Sequence, residues 1–201
     1  MITSTKTKLM GDSMPNWCQN EVSIYGDKED IEKLKAEVFT VDEVTKQSYL
    51  DFNKVVPMPK ELEDSVSPPN VVSDEFIRMR DLLKANPSIQ SIWVNGRQIK
   101  DDGWSEKFIT ESQSEILKKT YGADNWFDWR VTNWGTKWDI GGDSIDFYDE
   151  DDDRIELHFD TAWSPPDEIY QALRDKYEDI EITWFYREDG MQFAGYMERN
   201  W

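Results

Sequence analysis

Residues 144–193 read SIDFYDEDDDRIELHFDTAWSPPDEIYQALRDKYEDIEITWFYREDGMQF, and their order of patterns decides the fold. Ile145 and Phe147 alternate with polar residues, as do Ile155, Leu157 and Phe159, and the acidic run DEDDD between them makes a turn. This is the period-two signature of a hairpin with one buried face. Ser164-Pro165-Pro166-Asp167 then combines a capping hydroxyl, prolines for a first turn and an acid at a helix N-terminus, so a helix is expected, with Ile169, Leu173 and Tyr177 as its buried stripe. Ile180, Ile182, Trp184 and Tyr186 alternate again, Arg187-Glu188-Asp189-Gly190 turns the chain, and Met191 and Phe193 begin a return strand.

Working outward, CQNEVSIYG at 18–26 alternates Val22 and Ile24 with polar neighbours and predicts a half-buried strand. Asp27 follows as a cap, and Ile31, Leu34 and Val38 recur at helical steps. Together these pieces give strand, helix, strand, strand, helix, strand, with one extra strand. That order is the split arrangement of an α+β fold, ferredoxin-like, with an antiparallel sheet and helices on one face.

The intervening chain is read as a mainly helical insertion at about 66–125 within a single domain spanning 14–201. DFNKVVPMPKEL at 51–62 carries two prolines and predicts an extended connection pinned by Phe52, Val55 and Val56. Ser73 caps a short helix through Phe76, Met79 and Leu83; Asn95-Gly96 suits a hairpin; Phe108, Ile109, Ile116 and Leu117 predict a helix from about Ser105 to Tyr121. Phe127, Val131, Trp134 and Trp138 fall at steps of four, three and four and predict an aromatic helix face, which Gly135 weakens. Residues 1–13 are polar and aperiodic and read as a flexible leader.

Charge restricts the function. Against 23 Lys+Arg stand 42 Asp+Glu, a formal net charge of −19, which repels phosphate and anionic lipid. Direct nucleic-acid binding and membrane binding are therefore not expected. The chain has one cysteine, Cys18, and no long apolar run, so a reducing, cytoplasmic setting is expected. Ten Trp, nine Phe and eight Tyr distinguish it from a disordered acidic tail.

Candidate sites fall in two groups. Between Asp139 and Asp160 stand ten acids and one Arg, Arg154, with Asp149, Glu150, Asp151, Asp152 and Asp153 consecutive at the hairpin tip. Hard cations take carboxylate oxygens, but the alternate acids and central glycine of a calcium loop are missing. The plainer readings are a solvated tip or a recognition surface for cationic side chains. In the second group, Asn133, Trp134, Lys137, Trp138 and Trp163 either belong to the core or line a pocket for a flat ligand, with Lys137 holding an anionic group.

His158 has no paired nucleophile, and Cys18 suits a buried structural thiol better than a reactive one. No nucleophile elbow, phosphate-cradling loop, dinucleotide fingerprint or zinc spacing occurs, so no catalytic, metal-binding or cofactor residue is assigned.

MPNWCQNEVSIYG at 14–26, DFNKVVPMP at 51–59, WRVTNWGTKWD at 129–139, FDTAWSPPDEIYQAL at 159–173 and YREDGMQFAGY at 186–196 resemble the YubB or Api-like proteins of phages and plasmids. NWGTKWD followed by TAWSPP is the most specific of these blocks. The resemblance implies a ferredoxin-like domain and a mobile-element origin, and it transfers no catalytic residue. The leading expectation is a non-enzymatic acidic protein acting in host takeover or against host defence, which docks on a basic host or defence protein, in the manner of a nucleic-acid mimic. The alternatives are a metal-dependent enzyme using the 139–160 carboxylates and a small-ligand sponge for a nucleotide built on Lys137 and the tryptophans.

Overall fold

The computed structural model describes residues 16–94, 96–100 and 107–199. The expected leader at 1–13, Asn95 of the expected hairpin and the start of the helix expected from Ser105 lie outside them.

The chain opens with β1 (Trp17–Tyr25) and α1 (Lys28–Val38). A small hairpin, β2 (Phe39–Val41) and β3 (Ser48–Leu50), leads into two single-turn helices, α2 (Phe52–Val55) and α3 (Lys60–Glu63). Next come β4 (Val71–Val72), α4 (Asp74–Ala85), β5 (Ser91–Val94), β6 (Arg97–Lys100), β7 (Ile109–Thr110), α5 (Glu111–Tyr121) and α6 (Trp126–Trp134). The chain closes with β8 (Ile145–Glu150), β9 (Arg154–Ala162), α7 (Asp167–Lys176), β10 (Glu181–Glu188) and β11 (Phe193–Tyr196).

Five strands form one antiparallel sheet in the order β11-β10-β1-β9-β8. Without β11 this is the strand order of the ferredoxin-like split βαββαβ fold, as the hydrophobic patterns predict. Cys18, Asn20, Val22 and Ile24 of β1 are buried on one face, together with Ile155, Leu157 and Phe159 of β9 and Ile182 and Trp184 of β10. Ile31, Leu34 and Val38 of α1 and Ile169, Tyr170 and Leu173 of α7 pack into the same core cluster, so both helices cover that face. Each large side chain fully buried there contributes about 1.5–3 kcal/mol, which makes this layer the main stabilising unit. A second, smaller cluster gathers Val72, Phe76, Leu83, Val94 and Ile99 of the intervening elements.

The core includes one amide. Asn20 is 1% exposed, and its Nδ2 donates to the Cys18 carbonyl at 2.9 Å and to Thr161 Oγ1 at 2.9 Å, while its Oδ1 accepts the Trp184 indole N–H at 3.0 Å. Paired on both ends, the amide avoids the cost of an unsatisfied buried group.

Several local expectations are corrected. Residues 52–55 and 60–63 are helical: Asp51 caps the first turn by accepting the Lys54 amide and that turn ends before Pro57, while the second starts directly after Pro59. The helix expected from Ser105 begins at Glu111: Thr110 and Gln113 form a capping box there, and Ile109 pairs in a strand with Val71. Ile116 is 63% exposed, and α5 buries Ser114. Helix α6 ends at Gly135, whose φ of +80° leaves the helical region, so Trp138 is not on the helix and Val131 faces solvent.

Ser164 does not cap α7; its hydroxyl donates to the Gly135 carbonyl at 2.6 Å, and Pro166 stands at the cap position. Phe147 does not share the face of Ile145, because an irregular register at Asp146 turns Phe147 to the opposite side, where it is 42% exposed.

Candidate functional site

The two most specific sequence blocks meet at one end of the sheet. Gly135 turns the chain sharply, and a Cβ there would stand 2.8 Å from the Asp167 amide nitrogen, so only glycine lets the α6 terminus approach the start of α7. Thr136 Oγ1 donates to the Ala162 carbonyl at 3.1 Å, and Trp163, at φ +65°, donates its N–H to Asn16 at 2.9 Å. The Thr136 bond and that of the Ser164 hydroxyl to Gly135 hold residues 135–136 against 162–164, and the Trp163 bond ties the latter to the residue before β1.

This geometry places the Lys137 ammonium among rings. Its Nζ lies 4.4 Å from the centre of the Trp138 ring, 5.3 Å from that of Trp163 and 5.7 Å from that of Phe127. Trp138 and Trp163 stack at 6.1 Å, and Trp17 lies 6.1 Å from Trp138. Lys137 is only 9% exposed. The aromatic cage is thus filled by the protein's own cation, whose quadrupole attraction to the rings is satisfied internally.

The other two residues of that group lie elsewhere. Trp134 is fully buried against Phe52 and Trp129, with its indole N–H donating to Val56 at 2.8 Å, and Asn133 donates to the Trp129 carbonyl at 2.8 Å within the last turn of α6. Of the five candidate pocket residues, the fold gathers Lys137, Trp138 and Trp163 around one point.

At the hairpin tip the acids are exposed and outward, yet each of four has a cation beside it. Arg154 bridges Asp149 at 2.7 Å and Asp151 at 3.5 Å, Lys28 reaches Asp152 at 3.1 Å, and Lys35 pairs with Glu150. Lys35 holds the Glu150 carboxyl below its ordinary range. Asp153 contributes its carbonyl to the Gly26 amide at 3.1 Å, fixing the turn against the end of β1. Among the described residues, no three His, Cys, Asp or Glu side chains converge in a way that holds a metal ion.

Three further titratable groups are structural. Burial pushes the Cys18 thiol up to about 12, so it is no thiolate nucleophile. Burial also raises the Asp139 carboxyl to about 6 while it accepts the amides of Phe52 and Ile140, at 3.1 and 2.9 Å. The Arg130 guanidinium lies over Trp134 at 4.7 Å, and burial lowers its proton affinity.

The charge and hydropathy patterns did not reveal the face of the sheet that, among the described residues, neither α1 nor α7 covers. His158 projects there, 5.0 Å from the Phe147 ring, opposite Glu21 on β1. Glu21 in turn sits opposite Phe185 of β10, whose ring lies 5.3 Å from Tyr196 of β11. One row thus crosses all five strands. The alternation of each strand marks the outward positions, but only the register places these residues side by side.

Residues 137–200 match the family described as the ferredoxin-like domain in Api92-like protein. Among solved structures, the chain is similar to protein api92 from Yersinia pseudotuberculosis, with 15% identity, a TM-score of 0.43, and 90% of this chain and 93% of that chain covered. No curated protein matches. Among the described residues, no helix is long and apolar enough to cross a membrane.

Proposed function

We propose that the protein is a non-enzymatic binding module of a phage or plasmid that docks on a basic surface of a host or defence protein and covers it, as nucleic acid would. The observation that carries this reading is the outward projection of the β8–β9 acids from a rigid sheet in a chain of net charge −19, without convergence on a common point. Carboxylates held apart on a stiff scaffold suit a spread cationic surface, whereas a hydrolytic or metal centre needs them turned toward one point. The resemblance to mobile-element proteins supports the origin. No comparable observation favours the nucleotide sponge, since Lys137 is occupied by its own ring cage.

The test is affinity capture from a lysate of the host at roughly 0.15 M and about 1 M salt, where the screening lengths are about 8 Å and 3 Å. Recovery of a basic, nucleic-acid-handling protein at the lower salt only, displaced by added DNA, is the expected result. Retention of a nucleotide or metal ion by an otherwise unpartnered protein contradicts it.

A further inference from the structure

The open sheet face carries Glu21, Asp149, Glu156, Asp160 and Glu181 against Arg154 and Arg187. Both arginines are engaged with their own neighbours: Arg154 with Asp149 and Glu156, Arg187 with Gln19 and Asp189. Glu21 and Glu181 lie outside these pairs, Glu21 in the middle of the face. There Gln19, Glu21, Asp146, His158 and Asp160 line a shallow recess of about 180 Å³.

Rings flank that recess on both sides, Phe147 and His158 on one and Phe185 and Tyr196 on the other, and Phe147 and Tyr196 are 42% and 64% exposed. With strands about 4.8 Å apart, the row spans roughly 19 Å, the length of about six extended residues laid across the strands. Among the described residues neither covering helix, α1 nor α7, reaches this face; both pack on the other side.

We propose that this face, rather than the hairpin tip, is the docking surface, and that its occupant is an arginine-bearing segment of a partner protein. The inference rests on the proposed function and deepens it. Guanidinium suits the surface in two ways: it stacks on exposed rings, and its planar fork pairs with carboxylates. A phosphate backbone is repelled by the same carboxylates. The tip is a poorer docking point, because Lys28 and Lys35 of α1 already pair with Asp152 and Glu150 there.

The test uses an oligoarginine peptide as probe, titrated into ¹⁵N-labelled protein at roughly 0.15 M salt. Two variants remove equal charge: Glu21→Gln with Glu181→Gln on the face, and Asp151→Asn with Asp152→Asn on the tip. Tyr196→Ser, at an exposed ring, serves as a third variant that leaves the core untouched. The expected result is amide shifts along the Tyr196-to-Phe147 row, an affinity lowered about tenfold by the face variant, a smaller loss with Tyr196→Ser, and less than about twofold change with the tip variant. Shifts confined to 149–153, with affinity lost in the tip variant, overturn the inference while leaving a basic partner possible. Absence of binding by the unaltered protein overturns both readings.

Discussion

The Asn20 amide and the Trp184 indole are bonded to each other at 3.0 Å inside the apolar layer between the sheet and α7. This joins β1 to β10 through side chains as well as through the ladder. Asn20→Ala leaves the indole N–H and the Thr161 hydroxyl without that partner and opens a small cavity. The expected loss is about 3 kcal/mol in urea unfolding followed by tryptophan fluorescence, with Asn20→Asp also destabilising at neutral pH.

Gly135 holds the crossing between α6 and α7. With φ at +80° and the Asp167 amide 2.8 Å from an added Cβ, Gly135→Ala suffers both backbone strain and a clash with backbone. A loss of about 2–4 kcal/mol in thermal or urea unfolding is expected, whereas Gly122→Ala, at φ +81° with open space around it, loses only about 1 kcal/mol.

Stability depends on pH through Asp139. Its folded carboxyl, raised to about 6 by burial, holds its proton where the unfolded one at 3.8 has released it. The folded state thus binds more protons between these values, so this group's contribution falls as pH rises from about 4 to about 6 and stays low above that. Asp139→Asn removes the penalty. The variant is expected to exceed the parent by up to about 2–3 kcal/mol at pH 7 in chemical unfolding, with the difference shrinking as pH falls below about 6. A difference constant across that window contradicts the assignment.

Much of this fold is legible in the sequence where one physical rule acts alone. Ile155, Leu157, Phe159, Ile169, Leu173, Tyr177, Ile180, Ile182 and Trp184 are core positions that follow from period-two or helical spacing, because strands β9 and β10 and helix α7 each bury one face, whereas the spacing does not single out the buried Ala162 and Tyr170. Legibility fails where a short signal overrides the period. Two prolines near Met58 hide one-turn helices, Gly135 ends a helix whose aromatic spacing continues past it, and one extra residue at Asp146 sends Phe147 to the other face. The open-face row is invisible for a different reason: Tyr196, Phe185, Glu21, His158 and Phe147 become neighbours only through strand register. Likewise, the sequence shows Lys137 beside tryptophans but not that the rings enclose it.

Lys137 in its cage gives a prediction that separates packing from ligand binding. Lys137→Met keeps most of the buried stem and removes the ammonium, at an expected loss of about 1 kcal/mol in urea unfolding. Partner capture by this variant is expected to equal that of the parent, since the ammonium faces Trp138 and Trp163. Lost capture with unchanged stability contradicts the structural role.

The central claim is that recognition is driven by carboxylates facing a cationic surface. It is tested most directly by the salt dependence of the dissociation constant between the purified protein and its captured partner. Affinity is expected to fall steeply and linearly in the logarithm of salt concentration, by about tenfold or more between roughly 0.15 M and about 1 M, as ion pairs are screened. An affinity unchanged across that range contradicts it.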